Sequence, residues 1–414
     1  MRLTGAGRVT VVWATLLAAP LGARADVVLD WNAITLATIQ NQNPFAQARF
    51  AAIAQLAVFE AVNAITGEFE PYVGTVAAPW GASPEAAAVA AAHRVLVTYF
   101  PEQAESLNAA RAASLATIPG GQAKDDGVAT GEAAAAALIS LRANDGSLPP
   151  ALYFPTSAAP GEWQLTPFCT LGGGLFFHWK GVSPFAIPSA EAFRAPAPPE
   201  LSSAVYAKDV DEVRRVGSAG SVERPPDRAN AALFYGLTTG STLWNSAARQ
   251  VASAQARSLS HNAWALALLN MAISDALVAS FETKYHYRLW RPETAIQHAD
   301  TDDNPKTEPD PGFVPFVPTP CFPAYPSAHA SSAYAAVEVL THIYDGGGHS
   351  IMLSNPRFPF SLQYSRFKAI AEDIDDARVY GGIHFRFDQE GGARQGKAVG
   401  AYVLRTLRSL TEIE

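Results

Sequence analysis

The sequence predicts an all-α protein built as a helical bundle, and three observations support this prediction. Apolar residues recur at three- and four-residue spacing through Ala-rich segments along most of the 414 residues. Runs in which apolar and polar residues alternate, as they do in strands, are few. Hydrophobic residues make up 49% of the chain and charged residues 16%, a balance typical of a globular protein rather than a disordered chain or a coiled-coil rod.

The helical periodicity predicts ten segments, which follow one another along the chain. They cover about residues 34–66, 84–99, 103–117, 126–143, 205–216, 229–257, 261–280, 327–344, 361–376 and 389–410.

Two Pro-rich segments interrupt this pattern. Residues 149–199 contain ten prolines and a Gly-Gly-Gly triplet, and residues 301–326 contain eight prolines, so neither segment can be a regular helix. Long connections of this kind are often functional. The chain therefore divides into a leader (1–25), an N-terminal helical region (26–148), a Pro/Gly-rich excursion (149–200) and a helical core (201–414).

Residues 1–25 have the features of a secretory signal peptide. Arg2 and Arg8 precede an apolar run over 9–19, and residues 23–25 (Ala-Arg-Ala) fit a small-x-small cleavage site. An uncleaved anchor is the alternative, although the run is shorter than the ~20 residues that a membrane span needs. We therefore expect a secreted or periplasmic protein without stable membrane insertion.

Charge and cysteine content narrow the function classes further. The net charge of −8 argues against a nucleic-acid binder, because phosphate contacts need clustered cations. The two cysteines, Cys169 and Cys321, lie in the two Pro-rich segments. In an oxidising compartment they could form one disulfide, and two separate buried thiols are the alternative.

The first of three chemical motifs pairs Lys284 with Arg291, just before Pro292. On a continuous helix, residues seven apart lie on the same face, so both cations would point to one place. Pro292 would mark the end of the helix or a kink in it. For this pair alone, a solvated helix face is the alternative.

The second motif is the segment 326–329, Pro-Ser-Ala-His, at the start of a predicted helix. Ser327 is a good N-cap, and the free N–H groups of the first helical turn make an anion site together with the helix dipole. His329 would lie beside an anion bound there. A capping serine with an incidental histidine is the alternative.

The third motif contains Arg378, His384 and Asp388. In a straight helix Arg378 and His384 would face apart, but Gly381 and Gly382 allow the chain to bend and bring them together. Asp388 is placed to orient the His384 imidazole if this stretch is helical. The alternative is a glycine-rich break with a structural histidine.

Taken together, the motifs supply three cations, a helix N-terminus and two histidines. A buried tetrahedral oxyanion needs this set, because arginine offers bidentate donors, lysine a point charge and histidine a group that moves protons. The sequence therefore predicts that the three motifs converge on one oxyanion.

The motifs resemble the signature of the vanadium-dependent haloperoxidase and type 2 phosphatidic acid phosphatase superfamily, which is K-x6-RP, PSGH and SR-x5-H-x3-D. The matching residues are Lys284, Arg291, Pro292, Pro326, Ser327, His329, Arg378, His384 and Asp388. Two residues depart from the signature, since Ala328 replaces the usual glycine and Ala377 the usual serine. Ala328 keeps its backbone N–H but adds a methyl group beside the oxyanion.

The resemblance implies the helical bundle of this superfamily and a role for each matching residue. The oxyanion oxygens would be bound by Lys284, Arg291, Ser327, Ala328 and Arg378. His329 would be the general acid/base. His384 would bond the vanadium of a vanadate cofactor, or would be the nucleophile of a phosphatase, and Asp388 would orient His384.

Two activities follow from the resemblance. The first is a vanadate-dependent haloperoxidase, in which hydrogen peroxide oxidises a halide to hypohalous acid that halogenates an organic acceptor. Phe322 resembles an aromatic of chloride-oxidising members, with a core aromatic as the alternative. The second is a secreted acid phosphatase that needs no vanadate and hydrolyses a phosphate ester through a phosphohistidine at His384. Ala328 also leaves a catalytically weakened oxyanion-binding protein as a third reading.

We prefer the haloperoxidase because a large chain without membrane spans suits that class better than a lipid phosphatase. The expected partners are therefore small molecules, namely hydrogen peroxide, a halide and an organic acceptor, with a phosphate ester for the alternative.

Overall fold

Thirteen α-helices and one two-stranded hairpin form the regular structure of residues 26–410, the part of the chain that the computed structural model describes. The all-α prediction is confirmed, and the predicted signal peptide lies outside the described residues. The helices are α1 (Val27–Ile39), α2 (Pro44–Thr66), α3 (Pro84–Tyr99), α4 (Ala104–Ala116), α5 (Gln122–Leu141), α6 (Ala204–Val216), α7 (Pro226–Gly236), α8 (Gly240–Gln255), α9 (Leu259–Tyr287), α10 (Pro292–Gln297), α11 (Ala328–Tyr344), α12 (Phe367–Tyr380) and α13 (Arg386–Val403). The hairpin pairs β1 (Ile351–Ser354) with β2 (Ser361–Tyr364) in antiparallel register.

Two of the predicted helices are each split in two by a cap. The predicted helix 34–66 breaks at Asn43, whose side chain accepts the N–H groups of Phe45 and Ala46 and starts α2. The predicted helix 229–257 breaks at Thr239, which caps α8 in the same way. Polar side chains that bond the free N–H groups of a first turn begin a new helix.

The predicted helix 361–376 is wrong at its beginning. Residues Ser361–Tyr364 form β2, and α12 begins only at Phe367. Their alternating exposure fits a strand, and a four-residue segment is too short for periodicity to separate a strand from a helix turn.

Helix α9 lies at the centre of the bundle, where it packs against α2, α11 and α13. Among the described residues, α2 and α9 are long and apolar enough to cross a membrane by length and composition alone. In both helices the apolar stretch is mostly buried inside the protein, 83% in α2 and 94% in α9. Such burial is typical of core helices.

The Pro/Gly-rich segment 149–199 packs against this core. Its regular structure is limited to two short 3₁₀ turns, and its Trp163 and Trp179 are buried. It also carries one half of a disulfide between Cys169 and Cys321, which joins the two Pro-rich segments. Of the two alternatives for the cysteines, the structure contains the disulfide. The domain boundaries at 148 and 200 stay a prediction.

A buried carboxylate anchors the same segment to α9. Asp275 is fully buried and accepts the backbone N–H groups of Phe185, Ala186 and Ile187 at 2.7, 2.7 and 3.0 Å. Hydrogen bonds to three donors offset the cost of burying a carboxylate.

Glycines allow α13 to lie very close to α11. A Cβ at Gly396 would come within 2.1 Å of the Ser331 carbonyl oxygen, and one at Gly392 within 2.5 Å of the Ser327 oxygen. At the beginning of this contact the Ser327 N–H donates to the Asp388 carbonyl at 2.9 Å. The close approach of the two helices therefore fixes the second motif against the third.

We predict that Gly396→Ala lowers the free energy of unfolding by about 1–3 kcal/mol, because the new methyl group must push α13 away from α11. The matched control is Gly236→Ala, since Gly236 is also helical but has nothing within 4 Å of an added Cβ. Chemical denaturation of both variants measures the difference. Equal stability of the two variants would contradict this account of the helix contact.

Candidate active site

The structure brings the three motifs together where α9, α11, α12 and α13 meet. Lys284 lies at the end of α9 with no exposed surface, and its ammonium donates to the carbonyl oxygens of Pro323 and Ala324 at 2.8 and 2.6 Å. A lysine ammonium has three N–H donors, so one remains for a ligand. The loop before α11 thus fixes the position of this cation.

Arg291 also lies in this site, but the backbone between Lys284 and Arg291 is not the continuous helix that the sequence predicts. Helix α9 ends at Tyr287, because Arg288 has a left-handed backbone with φ of 50°, and Arg291 then precedes α10. The predicted shared helix face of Lys284 and Arg291 is therefore wrong, although the two cations still converge. The Arg291 guanidinium donates from Nε to the Phe322 carbonyl at 2.7 Å and from Nη1 to the Ile383 carbonyl at 2.9 Å.

The second motif forms the N-terminus of α11, as predicted. Ser327 is the N-cap, and its hydroxyl accepts the Ala330 N–H at 3.3 Å. Ala328 is the first helical residue, so it has a backbone conformation that alanine adopts readily. The replacement of glycine by Ala328 therefore adds a methyl group without requiring a glycine-specific backbone. His329 follows in the first turn and is partly exposed to a pocket.

The bend predicted at the two glycines is present. Helix α12 ends at Tyr380, and Gly382 has φ of 79°, a conformation that favours glycine. A Cβ at Gly382 would lie only 2.3 Å from the Gly217 oxygen, so close packing also requires glycine there. The turn carries the chain from Arg378 back to His384.

His384 and Asp388 are bonded to each other, although His384 lies just before α13 rather than within it. The distance between His384 Nδ1 and Asp388 Oδ2 is 2.7 Å, and the same oxygen accepts the Phe385 N–H at 3.1 Å. A carboxylate beside Nδ1 favours the tautomer with the proton on Nδ1, which leaves Nε2 unprotonated with a lone pair. Nε2 lies 3.1 Å from Arg291 Nη1.

Three arginine nitrogen atoms in this site have no hydrogen-bond partner among the described residues. They are Arg291 Nη2, Arg378 Nε and Arg378 Nη1, all of which are buried and carry N–H groups. Buried donors are nearly always paired, because an unpaired one loses its bonds to water. A tetrahedral oxyanion would supply the missing acceptors, so the donor set fits such a group.

Burial lowers the pKa values of all three cations. Burial lowers the pKa of Arg291 to about 9 and that of Arg378 to about 10. Burial also lowers the pKa of Lys284 well below its usual value, and the Arg291 charge lowers it further. An anion bound between them would stabilise the charged forms and raise these pKa values.

The pKa values of the titratable groups beside the cations are shifted as well. Burial and the nearby cations lower the pKa of His329 and His384 well below the usual value, so both imidazoles are neutral near pH 7. Burial raises the pKa of Asp388 to about 7. Groups with strongly shifted pKa values that lie together in a cleft are typical of functional sites.

A second carboxylate supports the site from outside it, and no sequence pattern indicated this residue. Asp209 of α6 is buried and accepts the Phe387 N–H at 2.8 Å, at the start of α13. Burial raises its pKa to about 6. Asp209 therefore holds the helix turn that carries Asp388, but an aspartate within an amphipathic helix looks the same in sequence whether it is buried or exposed.

A pocket of about 580 Å³ opens onto this cluster. Its lining includes Ala328, His329 and Arg378, and we call these residues of the cluster the inner end of the pocket. Phe322 lies in its wall, with the Arg291 guanidinium 4.9 Å and the Lys284 ammonium 5.4 Å from its ring centre. Both distances are within the range of cation–π contacts. The structure thus places Phe322 beside the cations and also against the hydrophobic core.

The structure therefore gathers all the residues that the motifs singled out, while their individual roles stay predictions. The sequence reasoning missed Asp209, the backbone carbonyls of 322–324 that hold the cations, and most of the pocket wall. Every residue has a backbone carbonyl group, so the side-chain types do not indicate which carbonyls hold the cations. The pocket wall comes from segments far apart in the chain.

Comparisons with known proteins agree on one family. Residues 265–412, which include the three motifs, match the model of the VCPO second helical-bundle domain. The chain is 27% identical over 204 residues to vanadium chloroperoxidase from Curvularia inaequalis, covering 41% of this chain. The alignment spans only about a third (32%) of that relative's length.

Two solved structures are similar over nearly the whole chain. The first bacterial vanadium-dependent iodoperoxidase is 25% identical with a TM-score of 0.76, covering 93% of this chain and 96% of the other. A holo-type bacterial vanadium-dependent chloroperoxidase is 16% identical with a TM-score of 0.69, covering 88% and 93%. At 16% identity the second likeness concerns the fold alone.

We predict that Arg378→Met weakens the binding of sulfate, a tetrahedral dianion, by about 10–100-fold, because charge-assisted hydrogen bonds are lost. The same substitution should leave the free energy of unfolding of the anion-free protein unchanged or higher, since it removes a buried charge without partners. Calorimetric titration and chemical denaturation measure the two effects.

The matched control for this substitution is Arg142→Met. Arg142 is equally buried, but it donates to Asp145 and to the carbonyl oxygens of Ser183 and Pro184. Its loss should lower the free energy of unfolding by about 3–5 kcal/mol. If Arg378→Met destabilises the protein as much as this control, or leaves sulfate binding intact, Arg378 is not an unpaired ligand for an anion.

Proposed function

The chain belongs to the vanadium-dependent haloperoxidase and type 2 phosphatidic acid phosphatase superfamily, and from this premise we propose that it is a vanadate-dependent haloperoxidase. It would oxidise a halide with hydrogen peroxide to hypohalous acid. The observation that carries the proposal is the set of buried, unpartnered N–H groups on Arg291 and Arg378 beside Nε2 of His384, whose Nδ1 is bonded to Asp388. Vanadate would fit there as both an oxyanion and a ligand acceptor.

The residues that would hold vanadate divide into donors and one ligand. The donors would be Lys284, Arg291, Ser327, the Ala328 N–H and Arg378, and the ligand would be His384 Nε2. When bound, vanadate would supply a Lewis acid that activates hydrogen peroxide towards attack by a halide. Three cations against the single carboxylate of Asp388 favour an anion of this kind.

The protein fixes these groups before any ligand arrives. The carbonyl groups of residues 322–324 hold Lys284 and Arg291, and Asp388 holds the His384 ring. Donors that are already oriented need no rearrangement when charge develops, which is the main source of electrostatic catalysis. The geometry therefore supports a rigid oxyanion site.

His329 is the candidate general base. It lies between the cage and the pocket, and its lowered pKa keeps the imidazole neutral near pH 7. A neutral imidazole would accept a proton from hydrogen peroxide as the peroxide enters the cage, and return it to the leaving oxygen later. Peroxide and halide would arrive through the pocket.

We also propose that the protein is exported. Its leader has the pattern of a secretory signal peptide. The disulfide between Cys169 and Cys321 supports the same location, because disulfides persist in oxidising compartments.

The proposed activity is tested by adding orthovanadate to protein freed of vanadate. With bromide and hydrogen peroxide, halogenation of a phenolic dye should rise with vanadate and saturate. His384→Ala should lower the rate by about 10²–10⁴-fold, because it removes the proposed ligand. His286→Ala is the matched control, since His286 is exposed at the end of α9 and lies outside the site.

Hydrolysis of a phosphate monoester is assayed in parallel. An acid phosphatase that uses the same cage with His384 as nucleophile would hydrolyse the ester and be inhibited by vanadate. Ester hydrolysis that vanadate blocks, without any halogenation, would overturn the haloperoxidase proposal.

A further inference from the structure

The pocket above the cage is far larger than peroxide and halide require. Its volume of about 580 Å³ compares with ~30 Å³ for a water molecule in the liquid, and a halide or peroxide is of similar scale. Cavities of ~300–1,000 Å³ are typical of sites for organic ligands. The pocket therefore has room for an organic molecule next to the reacting centre.

One wall of the pocket is aromatic. Phe45 and Phe176 have ring centres 4.4 Å apart, and Phe176 and Phe322 have ring centres 6.4 Å apart. These distances place the rings in contact, in tilted arrangements. A planar ring that enters the pocket would meet further aromatic surface at favourable edge and face positions.

Another part of the lining is aliphatic and comes from the end of α7 and from α9. Leu233 and Leu237 are 37% and 52% exposed, while Ile273 and Leu277 are buried. No carboxylate is found among the described residues that line the pocket. The charged or titratable groups there are Arg378 and His329, both at the inner end, so a cationic ligand is disfavoured.

We infer that this pocket binds a neutral, electron-rich aromatic molecule of one or two fused rings, which is halogenated inside the pocket. The halogenation rests on the proposed haloperoxidase function, whereas the binding does not. The apolar walls hold the ring, and the inner end directs one of its carbons towards the cage. The hydroxyl group of Ser241 in the wall offers a partner for a phenolic O–H.

The transfer step balances without a further reagent. Hypohalous acid made at the cage gives its halogen to a ring carbon, so that a C–X bond forms as the O–X bond breaks. The hydroxide that leaves takes the proton of the ring C–H, and the products are the aryl halide and water. Because the ring is held in one orientation, one position on it should be halogenated in preference to the others.

Binding is tested with 1-naphthol as the probe, titrated calorimetrically into the full protein without peroxide or halide. The wild type should bind it, and the double variant Leu233→Asp/Leu237→Asp should bind at least about 10-fold more weakly, because charge replaces apolar surface. Both side chains are partly exposed, so the variant should fold. Val222→Asp is the matched control, at a 97% exposed site that does not line the pocket.

Formation of triiodide from iodide and peroxide in the vanadate-loaded protein reports halide oxidation without an organic substrate. The wild type should form triiodide if the proposed function holds. If triiodide forms but 1-naphthol does not bind, or binds the double variant equally well, the inference is overturned while the proposed function stands. Absence of triiodide in the wild type would instead overturn the proposed function and the halogenation step, and leave the binding to be judged by calorimetry.

The product provides a second readout. Bromination of 1-naphthol by the wild type should give a different isomer ratio from hypobromous acid added in the same buffer, and the double variant should return to the reagent's ratio. Identical ratios for the enzyme and the reagent would overturn halogenation inside the pocket.

Discussion

The burial of three cations without enough negative charge is the constraint on which the whole site depends. Lys284, Arg291 and Arg378 are almost entirely buried, yet two of the three have N–H groups that no described residue accepts. Burying unpaired charge is expensive, so a fold that did so for stability alone would be better served by apolar side chains. The arrangement becomes favourable when an anion with several oxygens occupies the gap.

The scaffold keeps this arrangement from collapsing. Backbone carbonyls of the loop before α11 hold Lys284 and Arg291, and this loop is joined at Cys321 to the excursion that packs on α9. Glycines on α13 bring Asp388 against the N-terminus of α11. Because these hydrogen bonds hold Lys284 and Arg291, the two cations cannot easily turn away to find water or other partners.

Much of the site could be predicted from the sequence because its residue types are chemically unusual in combination. A predicted N-cap at Ser327 and a glycine pair between Arg378 and His384 were enough to expect an anion site and a bend. The prediction that Lys284 and Arg291 share a helix face was wrong for a specific reason. Arg288 has a left-handed backbone that ends α9 one turn early, and non-glycine residues in that conformation carry no clear sequence signal.

Most of the helices could be predicted from the sequence, whereas the residues at which they begin and end could be predicted less well. Caps at Asn43 and Thr239 divide long apolar stretches that periodicity alone joins together. The pocket wall combines residues from α2, α7 and the Pro-rich segments, whose proximity follows from tertiary packing. The order of residues in the sequence does not indicate which of them line a common surface. The residues of the site could therefore be predicted, whereas those of the pocket wall could not.

The most direct test of the account is a crystal structure of the protein grown with orthovanadate. A tetrahedral or five-coordinate anion should lie within hydrogen-bond distance of Arg291 Nη2 and of Arg378 Nε and Nη1, with its central atom bonded to His384 Nε2. An anion bound elsewhere on the protein, with these guanidinium groups turned towards solvent or paired with carboxylates, would contradict the account.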